Sequence, residues 1–239
     1  MKVIAILIGL FLPVLTFAQK EVIHQQQLWF RYHLKVPIGD KWQIRQEFDD
    51  RNFINPSRQS QFLSRTHIER KLGKGWDVAL GFTFVNQSLP QDPKLEHYNR
   101  SELRPSFEIA RQSKLSEDWS LNNRLWAESR YIEQSDGSHP FSNFRFRYKI
   151  EIHYSISDFL DVFAFDELHI NAGKNIVTNM FDQNRLAAGV QFHIVKNLNL
   201  ELTYINWFQQ QALNPFYYNR NIVRVAINHV LPVWKKTEN

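Results

Sequence analysis

The sequence predicts an all-β chain, and within that class a transmembrane antiparallel up-and-down β-barrel of about twelve strands, with ten as the fallback count. Three observations carry this. The N-terminus reads as an export signal, no later apolar run is long enough for a helical span, and an alternation of period two runs through most of the remaining chain.

In the export signal, Lys2 supplies the positive start, Val3 to Leu15 the apolar centre, and Thr16-Phe17-Ala18 the small-residue cleavage pattern. The expected organisation is therefore a signal peptide over residues 1–18 and a single barrel domain over 19–239. Cysteine is absent, so neither a lipid anchor nor disulfides are expected after export, and a closed hydrogen-bonded sheet would hold the fold instead. The absence of Cys, together with only 8 Gly in 239 residues, also excludes disulfide-stapled and collagen-like chains.

Without Lys2, 28 Lys and Arg stand against 24 Asp and Glu, a net charge of +4. The charges interdigitate, as in Glu102/Arg104, Arg124/Glu128 and Lys149/Glu151, which argues against a phosphate-tracking surface and so against nucleic acid as a partner. The mean hydropathy of −0.43 excludes a helical multi-span protein but not a barrel, whose apolar residues hide in alternation.

The strands follow in order. Leu28 to Val36, Trp42 to Phe48, and Phe62 to Leu72 come first, then the clear alternation of Trp76 to Phe84 with large apolar residues at even positions. Arg100 to Ile109, Trp119 to Arg130 and Phe144 to Ile152 continue it, and Leu160 to Ile170, Arg185 to Ile194, Leu200 to Phe208 and Val223 to Leu231 complete it. A short strand over Glu21 to Gln27 is added to make the count even, as single-chain bacterial barrels require. In a soluble sandwich the polar face would carry Lys, Ser and Thr. Here it carries Arg, Glu, Gln and His, which suits a confined lumen, while the apolar face meets outer-membrane lipid.

Connections alternate short and long. Tight polar turns are followed by Trp42, Trp76 and Trp119 at the first residue of the next strand, the phase an aromatic girdle at the headgroup boundary needs. The long connections, near 86–98, 132–142, 171–181 and 209–218, are expected to be extracellular.

Four strings carry a family resemblance. They are Asn123-Arg124-Leu125-Trp126-Ala127-Glu128-Ser129-Arg130, Phe144-Arg145-Phe146-Arg147-Tyr148, Asp166-Glu167-Leu168-His169-Ile170-Asn171, and Phe181-Asp182-Gln183-Asn184-Arg185 followed by Gly189. In order and spacing the chain resembles an uncharacterised outer-membrane barrel family of Bacteroidota, the domain of unknown function numbered 2490. The resemblance implies a membrane barrel in a bacterial outer membrane and no assigned activity.

Strand direction places the luminal charges by height. Arg100, Glu102 and Arg104 begin one strand; Glu128 and Arg130 end the next. Arg145 and Arg147 begin the third, Glu167 and His169 end the fourth, and Gln183 and Arg185 begin the fifth, so all fall in the outer half of the lumen. One reading is a structural plug of paired charges; the other is an Arg-rich site for an anionic small solute or glycan. A third class, a lipid- or glycan-modifying hydrolase, needs a nucleophile and base, for which His153-Tyr154-Ser155 is the only i, i+2 pair. His67 and Glu69 are too few for a metal site, and no cofactor fingerprint appears, so no metal, cofactor or catalytic residue is expected.

Overall fold

The computed structural model describes residues 21–176, 178–211 and 216–232; the export segment and cleavage pattern lie outside them. Eleven strands form one closed barrel: β1 (Glu21–Ile38), β2 (Trp42–Phe53), β3 (Arg58–Gly73), β4 (Trp76–Leu89), β5 (Tyr98–Lys114), β6 (Trp119–Ile132), β7 (Phe141–Ser157), β8 (Leu160–Ala172), β9 (Phe181–Val195), β10 (Leu198–Gln210) and β11 (Phe216–Val230). Each pairs antiparallel with its sequence neighbour.

The strand count departs from twelve and from ten. The segment Glu21 to Gln27 is not a strand of its own but the first part of β1, because no turn residue interrupts Gln25-Gln26-Gln27-Leu28. An up-and-down barrel with an odd count must close through one parallel pair. That pair is β1 with β11, in register from Glu21↔Phe216 to Lys35↔Val230. The first described strand therefore starts at the long-loop end and the last finishes at the short-turn end.

Side-chain facing is inverted relative to a water-soluble fold. On β4, Leu80 is 68% exposed and Phe82 also points outward, while Ala79 and Thr83 are buried. On β7, Phe144, Phe146 and Tyr148 are exposed and Arg145 and Arg147 buried. Trp42, Trp76 and Trp119 are exposed at the short-turn end, with the guanidinium groups of Arg70 and Arg111 over the first two rings at 5.3 Å and Tyr154 against the third at 4.7 Å. Among the described residues no helix is long and apolar enough to cross a membrane, a statement that leaves strands aside.

The alternating apolar faces of β4 and β7 point outward as expected, yet the lumen is not polar all round. Trp29, Phe163, Phe165, Ala187, Ile205, Trp207 and Ile222 form a buried cluster inside the wall of β1 and β8 to β11. Gly189 admits one of its rings: a Cβ there would lie 2.6 Å from Phe163 Cζ and 2.7 Å from the Leu202 carbonyl oxygen. Gly189→Ala should therefore destabilise the barrel by about 1–3 kcal/mol, read in a denaturant titration of the refolded protein.

Candidate functional site

Luminal charges come from every second residue, so i and i+2 on one strand share a face and cross-strand partners add the rest. On β5 and β6, one carboxylate is held by two guanidinium groups. Glu102 Oε1 accepts from Arg104 Nε at 2.8 Å and Arg130 Nε at 2.5 Å, and Oε2 from their Nη2 atoms at 2.8 and 3.0 Å. Such charge-assisted, forked contacts are the strong class of hydrogen bond.

A second cluster centres on Glu167 of β8. It meets Arg147 at 2.8 Å, Arg124 at 2.7 Å, His169 at 3.0 Å and Arg185 at 3.7 Å. Arg147 also approaches Glu128, which is 1% exposed, at 3.6 Å. Arg145 pairs with Asp182 at 3.1 Å, and Gln183 donates to Asp182 while accepting from Arg185. All of these residues lie together in the barrel interior. Arg100 stands apart, half-buried near the start of β5. Beyond the strand ends, the half-buried Glu133 carboxylate accepts from Ser101 N–H and hydroxyl at 2.7 and 2.6 Å, which holds it below the usual carboxylate range.

Sequence reasoning missed a cluster on β1 to β3. Asp49 bonds Arg51 at 2.7 Å and Arg31 at 2.9 Å, and Glu47 pairs with Arg65. It also missed contacts that cross the lumen between strands that are not neighbours, such as Arg45 of β2 with Glu108 of β5 at 2.6 Å. The signal for the first was present, since Arg31, Arg45, Asp49, Arg51 and Arg65 alternate like the residues that were singled out. Nothing in the sequence marks the second, because barrel closure sets those distances.

The interior is divided. A vestibule of about 660 Å³ extends to the short turns, lined by Lys35, Glu69, Asp77, Lys149, Glu151, Asp161 and Glu201 among others. On the loop side lies a chamber of about 50 Å³. Its charged lining is Arg51, Arg65, Arg104, Arg130, Arg145, Arg147 and Arg185, with His169 beside them and no carboxylate. The acids that balance these arginines therefore stand behind them. Arg65, Arg147 and Arg185 line both spaces and form the partition.

Further out, the β4–β5 loop caps the interior. Gln25 Nε2 donates to the Gln91 carbonyl at 2.5 Å, Ser60 Oγ to Gln91 Oε1 at 3.2 Å, and Arg58 Nη2 to the Pro90 carbonyl at 2.7 Å. Arg220, fully buried, sits among the neutral acceptors Gln25, Gln209 and Gln91 and against the Trp207 and Tyr218 rings.

His153 and Ser155 do not form a nucleophile–base pair. His153 Nε2 bonds Glu151 Oε1 at 2.9 Å, and no hydrogen bond joins it to Ser155 among the described residues. His67 packs edge-on against Trp126 at 5.1 Å, Glu69 pairs with Arg45 at 2.8 Å, and the described residues contain no group of three or more His, Cys, Asp or Glu able to hold a metal.

Comparison with known proteins agrees with the fold. A solved structure titled as the NanC porin in a rhombohedral crystal form superposes with a TM-score of 0.52 at 12% identity, covering 86% of this chain and 98% of the other. At that identity the likeness is one of fold, and the fold is a porin-like β-barrel. No curated protein matches the chain. Residues 26–217 match the family described as protein of unknown function, DUF2490, and the chain belongs to that family.

Proposed function

We propose that the protein is a bacterial outer-membrane barrel that binds or passes small anionic solutes, with lipid against its outer wall. Solutes enter the vestibule from the short-turn end and are selected at the partition of Arg65, Arg147 and Arg185. The observation that carries this reading is the chamber lining, in which seven arginines converge and no carboxylate takes part. In a confined, low-dielectric space such a lining focuses positive potential, attracts anions and repels cations. The outward apolar belt, the Trp girdle and the export signal support the membrane setting.

Reversal potential in planar bilayers under a KCl gradient tests it. The wild-type barrel should be anion-selective, and Arg65→Gln with Arg185→Gln should move the potential towards zero. Cation selectivity would overturn the reading. A second reading, a structural barrel with a closed interior, is favoured by the Gln91 cap and the buried ion pairs; it requires a heat-modifiable outer-membrane protein that never conducts.

A further inference from the structure

The chamber on the loop side of the partition has three buried donors without a partner against one such acceptor, Nδ1 of His169, whose Nε2 donates to Glu167. Arg65 Nε, Arg147 Nε and the indole N–H of Trp207 are buried with no hydrogen-bond partner among the described residues, and all three residues line the chamber. Trp207 is 3% exposed. Guanidinium and indole nitrogens can only donate, so a buried set of this kind lacks an acceptor at considerable cost.

Of the four glutamines that line the chamber, Gln87 is without a side-chain hydrogen bond among the described residues and the amide oxygens of the other three are already engaged. Gln61 Oε1 accepts from Arg51 at 2.9 Å, Gln183 Oε1 from Arg185 at 3.0 and 3.2 Å, and Gln209 Oε1 from Arg220 at 2.5 Å. Arg185 is the least compensated cation here, since its hydrogen bonds go to neutral Gln183 and its charged contact, Glu167, is 3.7 Å away. A water offers two acceptor sites but brings two further donors into a space already crowded with them. An anion brings acceptors alone.

We propose that this chamber is a built site for one small inorganic oxyanion of the phosphate or sulfate class, held by Arg185, Arg147, Arg65 and the Trp207 N–H. Oxygen pairs on such an ion match the fork of a guanidinium group. At about 50 Å³ the chamber has room for a few waters or one such ion and excludes a sugar ring or nucleotide. The site rests on the anion-selecting reading of the lumen and narrows it to a ligand class.

The test is titration of the refolded full-length barrel in detergent with inorganic phosphate and with sulfate, at ionic strength held constant with NaCl. Calorimetric heat and tryptophan emission are read together. Both should saturate for wild type and for Lys196→Ala, which removes a positive charge outside the lumen. Arg185→Gln should weaken binding by about tenfold or more. Arg185→Lys, which keeps the charge and loses the fork, should fall between them, and Trp207→Phe should weaken binding while keeping the ring.

Heat-dependent mobility identifies which variants have folded. Absence of saturation, chloride acting as strongly as phosphate, or unchanged affinity in folded Arg185→Gln would each overturn the site. Anion-selective conductance without phosphate binding would sink the site and leave the transport reading standing. Binding in a barrel that conducts cations would do the reverse.

Discussion

Glu102→Gln should destabilise the barrel by about 3–5 kcal/mol, the range for removing one partner from a buried ion pair. The carboxylate takes four hydrogen bonds from Arg104 and Arg130. A glutamine keeps one acceptor oxygen and turns an NH2 group towards a guanidinium, leaving two buried cations without their counter-charge. Glu102→Gln combined with Arg104→Gln should then lose less than the sum of the single losses, by about 0.5–3 kcal/mol in a double-mutant cycle. The measurement is a denaturant titration in lipid vesicles, and strict additivity would mean that the pair is not coupled. The same cycle on Glu167 should give a larger coupling with Arg147, at 2.8 Å, than with Arg185, at 3.7 Å.

Leu80→Arg should cost about 2 to 4 kcal/mol, because it puts a cation on the lipid side near the middle of β4. Leu80 is 68% exposed and its neighbours on that face, Val78 and Phe82, are apolar. Ala79→Ser, one residue away, turns inward opposite Glu69 and Glu108, where a hydroxyl finds acceptors, and should change stability far less. Folding titrations of the two variants side by side check this, and equal tolerance would contradict the facing.

Local pattern made most of the wall legible. All eleven observed strands are present in the alternation, and Trp42, Trp76 and Trp119 after tight turns mark one rim correctly in phase. The error over Glu21 to Gln27 came from a rule about parity, whereas the residues themselves contain nothing that would break a strand; one parallel seam resolves the count.

Hydropathy alone would misplace the inward aromatics. Trp29 shares parity with Gln25, Gln27, Arg31 and His33, and so points inward despite its apolar ring. Parity within the strand was the better guide. In the interior, pairs on one strand such as Glu102 and Arg104 were readable because i and i+2 share a face. Contacts such as Arg45 with Glu108 were not, since they span the lumen between strands three apart.

The central claim is that even positions on β4 and β7 meet lipid while odd positions enclose a lumen lined by charged and polar residues. Because the natural chain has no cysteine, single cysteines can carry a fluorophore at Val78, Ala79, Leu80 and Phe82, and from Phe144 to Tyr148, one variant at a time. Quenching by nitroxides on the lipid acyl chains reads the facing directly. The expected profile alternates strictly, with strong quenching at 78, 80, 82, 144, 146 and 148 and weak quenching at 79, 145 and 147. A flat profile, or one in the opposite phase, would contradict the barrel as described.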